Sequence, residues 1–416
     1  MAASKRVIYL DNASTSWPKA PNVASTMADY LNTEAANPGR GAHAMALASE
    51  KMIGDARALI ANLLNAEAPE RIVFGLNASD ALNTAIFGVV DAASRDSDTR
   101  PHVVSTYLEH NSIRRPLNSL EQRGIIELTR VEADANGLLC PDAIASAVKP
   151  NTVLVAFTHA SNVLGAVQPL PEIVKAVRQT PAGESALVLT DSSQTVGAVP
   201  IDVQECGVDL LAAPGHKGLL GPTGTGLLYV SPRAYDPDRT DDGRPIRMVN
   251  FKSGGTGTDS ATPTQPVELP VYFEAGTPNT VGIAGLAAGV RYVVEHGVEQ
   301  IWDHEQRLVR QLADLLSSDS RITLHGCSSH NDSNIPRVGL LSITVAGVDP
   351  GEASAWLDAT YGVAVRPGLH CAPGAHESTG TFPAGTIRIS PGPFTTEQEI
   401  EIAARAVREM ADSMAV

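Results

Sequence analysis

From residue 71 to residue 230, short apolar runs rich in β-branched residues alternate with amphipathic segments of helical length, and few folds accept that pattern. The runs fall at 71–74, 102–105, 125–131, 153–157, 186–190, 208–213 and 227–230. The segments 80–90, 112–123, 141–148 and 171–178 between them place apolar residues at helical spacing. A strand that is apolar on both faces must be covered on both, and strands joined through helices pair in parallel. The pattern therefore predicts an α/β chain whose mostly parallel sheet lies between two helical layers. In such sheets ligands bind beyond the carboxyl ends of the strands.

The flanking segments add a second unit. A strand or arm at 7–10, a helix running into the low thirties after Pro18 and Pro21, a loop at 37–43 and a helix at 46–65 precede the alternation. After it comes 236–266, rich in Asp, Gly, Thr and Pro, which reads as a long functional or mobile loop. Helices are expected at 280–295, 298–316, 351–361 and 397–414, with strands near 340–345, 363–365 and 386–390. At 416 residues the chain is too long for one small core. The expected division is an arm at 1–20, a large domain at 21–285 and a small α+β domain at 286–416.

Charge and cysteine usage narrow the function classes. A net charge of −15 argues against nucleic acid and anionic membranes as partners. No stretch approaches the roughly 18 apolar residues of a membrane span, and the first residues, MAASKRVIYLDN, lack a signal-type apolar core. Cys140, Cys206, Cys327 and Cys371 are far apart with no CxxC pair. The expectation is no metal site and a reducing, cytoplasmic setting.

Candidate chemistry recurs just past the strand ends. Lys217 sits in Pro214-Gly215-His216-Lys217-Gly218-Leu219-Leu220-Gly221-Pro222-Thr223-Gly224, between two apolar runs. It is either a surface lysine in a glycine-rich turn or an amine whose pKa is lowered by burial, able to attack a carbonyl. A phosphate loop of the Walker type is excluded, because no Gly-Lys-Ser/Thr follows the required glycines. Asn77-Ala78-Ser79-Asp80 opens a helix and offers either an anion site or an ordinary cap. His110 could stack on a flat ring, move a proton, or serve as a loop histidine. Asp191, followed by Gln194, is either a helix cap or the partner of a buried ring nitrogen. Asp191 followed by Lys217 after the next strand is the order expected of a pyridoxal phosphate site. Cys371, beside His370 and near Arg366, is either a reactive thiolate or a packed thiol. Arg388 is either a bidentate carboxylate clamp or half of a surface ion pair.

With these residues assembled, the chain resembles class V aminotransferase-fold enzymes, and more narrowly the cysteine desulfurase and selenocysteine lyase group. The resemblance runs from about Tyr9 to Ile402. Tyr9-Leu10-Asp11-Asn12-Ala13, Ser161-Asn162-Val163-Leu164-Gly165, Gly215-His216-Lys217, Phe273-Glu274-Ala275-Gly276-Thr277-Pro278-Asn279-Thr280 and Gly368-Leu369-His370-Cys371-Ala372-Pro373 carry it. It implies fold type I, pyridoxal 5'-phosphate and a homodimer. Lys217 would form the Schiff base and His110 would stack on the ring. Asp191 would pair with the ring nitrogen and Gln194 with the phenolic oxygen. Ala78, Ser79 and His216 would hold the phosphate, and Thr277 would reach the partner subunit's phosphate. Asn162 and Arg388 would bind the substrate carboxylate, while Ala13, Arg366 and His43 would line the substrate pocket. Cys371 would take sulfur from L-cysteine as a persulfide, releasing alanine, for a sulfur-acceptor protein and iron-sulfur cluster assembly. A selenocysteine lyase, another β-lyase or transaminase, or a non-catalytic scaffold of this fold are the alternatives. The chain departs from the family pattern at Ala78-Ser79, where Thr-Thr is common, at Pro214, where a phosphate-binding Ser is common, at Ser192-Ser193 and at Leu369.

Overall fold

Thirteen strands organise the described chain. They are β1 (Ile8–Tyr9), β2 (Ile72–Gly75), β3 (His102–Thr106), β4 (Glu127–Val131), β5 (Thr152–Thr158), β6 (Leu187–Asp191), β7 (Leu210–Pro214), β8 (Gly226–Val230), β9 (Ile322–His325), β10 (Leu341–Val345), β11 (Val363–Ala364), β12 (Arg366–Gly368) and β13 (Thr386–Ile389). The structure is a computed structural model and describes residues 7–39, 41–95, 99–237, 247–257, 261–326 and 335–414.

A seven-stranded sheet runs in the order β2-β8-β7-β6-β5-β3-β4. Its strand pairs are parallel, except that β8 runs antiparallel to both β2 and β7. The connection from β7 to β8 is too short to hold a crossover helix, so the chain must return antiparallel. Side chains alternate between faces, as the period of two demands. Leu154, Ala156, Leu187, Leu189, Leu210 and Ala212 pack with helices Ala78–Arg95 and Asn111–Gln122. Val155, Phe157, Val188, Leu211 and Ala213 pack on the other face with helices Ala44–Leu64, Leu170–Arg178 and Thr280–His296. Both faces are apolar and both are covered, as the sequence pattern predicts.

A second, antiparallel sheet has the order β12-β13-β10-β9. Helices Val298–Ser317, Pro350–Tyr361 and Glu397–Met414 pack against it. Ile8 and Leu10 of the N-terminal arm join this cluster, and β1 pairs parallel with β11. Position 285/286 falls within helix Thr280–His296, whose Leu286 and Val290 pack on the large sheet.

The described parts of 236–266 hold no strand or α-helix. They are tied to helix Ala78–Arg95: Val249 N–H donates to the Gly88 carbonyl at 3.1 Å, Phe251 stacks on Phe87 at 4.9 Å, and Lys252 pairs with Asp80 at 2.6 Å. Gly88 is needed there, because a Cβ would lie 2.4 Å from the Val249 carbonyl oxygen. Residues 238–246 and 258–260, which the expected loop includes, lie outside the described residues, as does Cys327.

Candidate active site

The carboxyl ends of β2, β3, β5, β6 and β7 meet at one edge of the large sheet and open onto a cavity of about 130 Å³. Each contributes wall residues: Ala78 and Ser79 after β2, His110 and Ser112 after β3, Asn162 after β5, Asp191 and Gln194 from β6 onward, and His216 and Lys217 after β7. Parallel pairing sets the levels, since Thr158 lies opposite Asp191 and Asp191 opposite Ala212.

Lys217 is half-buried by surface area, but protein mass surrounds its amine closely. Burial lowers its pKa to about 8, with Asp191 opposing that change and Arg388 and Arg366 adding to it. At pH 7.5 an amine of pKa 8 is neutral for roughly a quarter of the time, against about one part in a thousand at the ordinary value. Asp191 is 3% exposed, and its Oδ1 accepts the Ser193 N–H at 3.0 Å. His216 is held neutral by burial, its pKa falling to about 4, and its Nδ1 is buried with no partner. The His216 carbonyl accepts from Ser16 N–H, Ser16 Oγ and the Lys19 amine at 3.0–3.1 Å, which fastens the arm to the lysine loop.

On the opposite wall His110 caps helix Asn111–Gln122, its Nδ1 accepting the Ser112 N–H at 3.1 Å. Burial lowers its pKa too. Ser79 and Ser112 hydroxyls are 2.6 Å apart. Beside His110, Glu109 is 1% exposed, with burial raising its pKa to about 8. Its Oε1 accepts from Thr106 Oγ1 at 2.5 Å and Thr158 N–H at 3.2 Å, while Oε2 is buried with no partner.

Arg388 and Arg366 are directly opposed on β13 and β12. Ser14 Oγ accepts from Arg388 Nη2 and Arg366 Nη1, both at 2.7 Å, and donates to Asp11 Oδ1 at 2.7 Å. Arg388 also pairs with Asp11 at 3.0 Å and donates to the Asn162 carbonyl at 3.0 Å. Two neighbouring cations stay together because the arm inserts a carboxylate and a hydroxyl between them. The arm thereby carries site residues, Asp11 and Ser14, that local reading assigned no role.

Cys371 is exposed and lies outside the cavity wall, with Arg366 Nη2 3.9 Å from its sulfur. His370 and Cys371 both adopt left-handed φ values, 48° and 60°. Asn162 Nδ2 bonds the His370 carbonyl at 2.7 Å, and Asn111 N–H bonds the Cys371 carbonyl at 2.8 Å. The cysteine loop is thus held to the elements that carry Asn162 and His110. His370, the neighbour of this thiol in sequence, adds no positive charge to it: it is buried, its Nε2 faces Thr386 Oγ1 at 3.1 Å, and burial lowers its pKa to about 2. Arg366 is the cation at this sulfur.

Of the expected residues, Ala13, His43, Thr277, Arg366, Cys371 and Arg388 do not line this cavity. His43 caps helix Ala44–Leu64, its Nδ1 accepting the Ala46 N–H at 3.3 Å, and it is exposed. It borders no wall of this chain's cavity. Thr277 is exposed and borders no wall of this chain's cavity. Ala13 donates to Ser390 Oγ and accepts from Gln194 Nε2, so it fixes the arm against the glutamine.

The walls suit a phosphorylated aldehyde with a basic ring nitrogen. A helix N-terminus at Ala78, hydroxyls at Ser79 and Ser112 and the unpartnered His216 Nδ1 are the groups at this cavity that would hold an anion. Asp191 would face a protonated ring nitrogen and Lys217 an aldehyde. Pyridoxal 5'-phosphate meets all three demands.

Comparison with known proteins agrees with this geometry. The family model for aminotransferase class-V matches residues 8–402. A protein of Methanothermobacter thermautotrophicus named probable cysteine desulfurase is 35% identical over 97% of this chain and 94% of its own length. A cysteine desulfurase of Salmonella agona is 31% identical over 88% of this chain and 84% of its own. The apo structure of a cysteine desulfurase from Thermococcus onnurineus superposes with a TM-score of 0.86 at 29% identity, covering 98% of this chain and 95% of that one. Matched along nearly its whole length in sequence and in backbone, with a lysine, an aspartate and a helix N-terminus meeting at the strand ends, the chain belongs to the class-V aminotransferase family.

Proposed function

We propose that the chain is a pyridoxal phosphate-dependent cysteine desulfurase, converting L-cysteine to L-alanine while Cys371 takes the sulfur as a persulfide. The observation that carries this reading is Lys217, partly neutral near pH 8 and sharing one cavity with Asp191. The names of the relatives support the same activity.

The bound cofactor supplies an electron sink for the pair left on the substrate Cα when its proton departs. The residues of this chain do the rest. Neutral Lys217 takes the Cα proton and later returns one. Asp191 keeps the ring nitrogen protonated, and Gln194 bonds the phenolic oxygen. His110 covers one ring face, and Ala78 N–H, Ser79 and His216 hold the phosphate. Pro214 donates nothing, so the three remaining donors carry that end. Asn162 and Arg388 take the substrate carboxylate, with Asp11 and Ser14 holding the guanidinium in place. Arg366 Nη2 lies 3.9 Å from the Cys371 sulfur, which attacks the substrate sulfur.

The exposure of Cys371 beside Arg366 favours a desulfurase over a lyase or transaminase, which need no nucleophilic thiol. An outward-facing persulfide also suits transfer to an acceptor protein. Exposed Thr277 supports a homodimer in which it reaches the second subunit's phosphate. We take residues 1–20 as an arm, 21–285 as a large domain and 286–416 as a small one; the packing of Ile8 and Leu10 on the second sheet supports the arm's assignment. Among the described residues no helix is long and apolar enough to cross a membrane; the widely spaced cysteines without a CxxC pair support a cytoplasmic setting.

The test is incubation of purified protein with L-cysteine, measuring alanine and protein-bound persulfide together. Equal yields in a single turnover are expected, with the persulfide on Cys371 and a borohydride-fixed label on Lys217. Alanine without persulfide, or a label on another lysine, would overturn the reading.

A further inference from the structure

The loop that carries Lys217 closes on itself except at one point. The Gly215 carbonyl accepts from Gly221 N–H at 2.8 Å, and the Lys217 carbonyl accepts from Leu220 N–H at 2.8 Å. The His216 carbonyl lies between them. Among the described residues its donors all come from the N-terminal arm: Ser16 N–H at 3.0 Å, Ser16 Oγ at 3.1 Å, Thr15 Oγ1 at 3.2 Å and Lys19 Nζ at 3.0 Å. That oxygen belongs to the peptide that joins His216 to Lys217.

A carbonyl oxygen has two lone pairs. The N–H and hydroxyl of Ser16 already fill them, so the Lys19 cation exceeds what the carbonyl needs. The cation is also costly to place there. Lys19 is half-buried, and its amine bonds neutral oxygens: the carbonyl, Ser16 Oγ at 3.0 Å and Thr15 Oγ1 at 3.3 Å. No carboxylate offsets its burial, which lowers its pKa to about 8. A cation among neutral groups calls for a reason.

The rest of the arm supplies one. Asp11 and Ser14, a few residues earlier, hold Arg388. The segment between is braced from within. The Tyr9 hydroxyl donates to the Thr15 carbonyl at 2.9 Å, and Asn12 Oδ1 accepts the Trp17 N–H at 3.1 Å. One end of a braced segment thus lies on the guanidinium that would take the substrate carboxylate. Its other end lies on the peptide that carries the amine. A charge-assisted bond is about twice as strong as a neutral one, so the cation makes that second contact firm.

We propose that Lys19 is a positioning residue for Lys217: by holding the His216 carbonyl it fixes the peptide from which the Lys217 side chain springs, and so sets the place of the amine relative to a substrate held at Arg388. The inference rests on the reading of Lys217 as the reacting amine. The charge of Lys19 also reaches the cavity wall, where with Lys217 it adds to the burial that keeps the His216 imidazole neutral.

The experiment compares Lys19→Met and Lys19→Arg with wild type, with thermal scans to confirm folding. Lys19→Gln, which keeps a donor without the charge, stands in if Lys19→Met does not fold. In cofactor-free protein, acetylation of Lys217 is followed at one pH by mass spectrometry. Lys217 of Lys19→Met is expected to label several-fold faster, because the loosened loop lets the amine leave its place. In the loaded enzyme, Lys19→Met is expected to lower kcat on the order of tenfold, short of the hundredfold that a misplacement of about 1 Å can cost. The KM for L-cysteine should stay unchanged, because Asp11 and Ser14 still hold Arg388. Lys19→Arg, which keeps a cation with N–H groups, should restore both readouts. Wild-type labelling and kcat in Lys19→Met overturn the proposal, whatever its Tm. A loss confined to KM, or one that Lys19→Arg shares in full, overturns it too. If wild type does not desulfurate L-cysteine, the functional reading fails, while the labelling comparison still decides for or against the tie between Lys19 and Lys217.

Discussion

Replacing Glu109 by Gln should make the protein more stable in alkali, by an amount that the site's geometry lets one calculate. Glu109 is buried between β3 and β5, next to Asp191, and its pKa rises to about 8 from 4.5. A raised carboxyl pKa means that the folded state resists ionisation. The group's contribution to stability is whole below the unfolded value, near pH 4.5, and drains away as pH rises through 8. At 1.36 kcal/mol per pH unit, the loss is on the order of 1 kcal/mol at pH 5.5 and of 4 to 5 kcal/mol at pH 8.5. Glutamine cannot ionise, and its oxygen can accept from Thr106 Oγ1 and Thr158 N–H just as Glu109 Oε1 does. Relative to wild type, the variant should therefore gain about 3 kcal/mol between pH 5.5 and pH 8.5. For a chain of this size that is on the order of 6 °C in Tm. Paired thermal scans at the two pH values read this directly. Parallel Tm changes in the two proteins would mean that Glu109 is already ionised in the fold and that its neighbours solvate it.

Other variants probe the chemistry. Cys371→Ala should abolish alanine formation from L-cysteine while the visible cofactor band and its response to substrate remain; retained activity would remove the persulfide role. Asp191→Ala should still bind cofactor but raise the barrier to Cα deprotonation by several kcal/mol, on the order of an oriented charge in a dry site, and near-normal hydrogen exchange at Cα would reduce Asp191 to a helix cap. Ser14→Ala should raise the KM for L-cysteine without changing the cofactor spectrum, because Arg388 and Arg366 lose their shared acceptor; an unchanged KM would show that the arm does not hold the clamp. Sedimentation should find a dimer at micromolar concentration, and a fully active monomer would contradict the role of Thr277.

The large sheet was legible because its strands are apolar on both faces, so period and burial say the same thing. Elements that satisfy neither rule were passed over. β9 pairs only one fully buried residue, Ile322, with three more exposed ones, and β12 is three residues long around Pro367. Site residues at strand ends were readable because the parallel sheet sends them to one edge. Asp191, His110 and Lys217 meet there as expected. The tie between Asp11 and Arg388 was not readable, since nothing local marks two residues 377 apart as partners. The cap made by His43 was also unread, although a polar residue just before an apolar helical run is a place where caps occur.

The arm's hold on Arg388 has a temporal consequence during synthesis. Asp11 leaves the ribosome early, but its partner lies 377 residues later. At about 5–20 residues per second, the arm waits on the order of 20–75 s for a guanidinium to bind. β7 and its lysine loop are made in the meantime and can fold around the large sheet before the arm has a place to dock. The carboxylate clamp is therefore completed last, after β13 emerges. A nascent or truncated chain could take up cofactor, yet it would lack the grip on substrate that full-length protein has. Asp11 and Ser14 thereby register that β13 has been made.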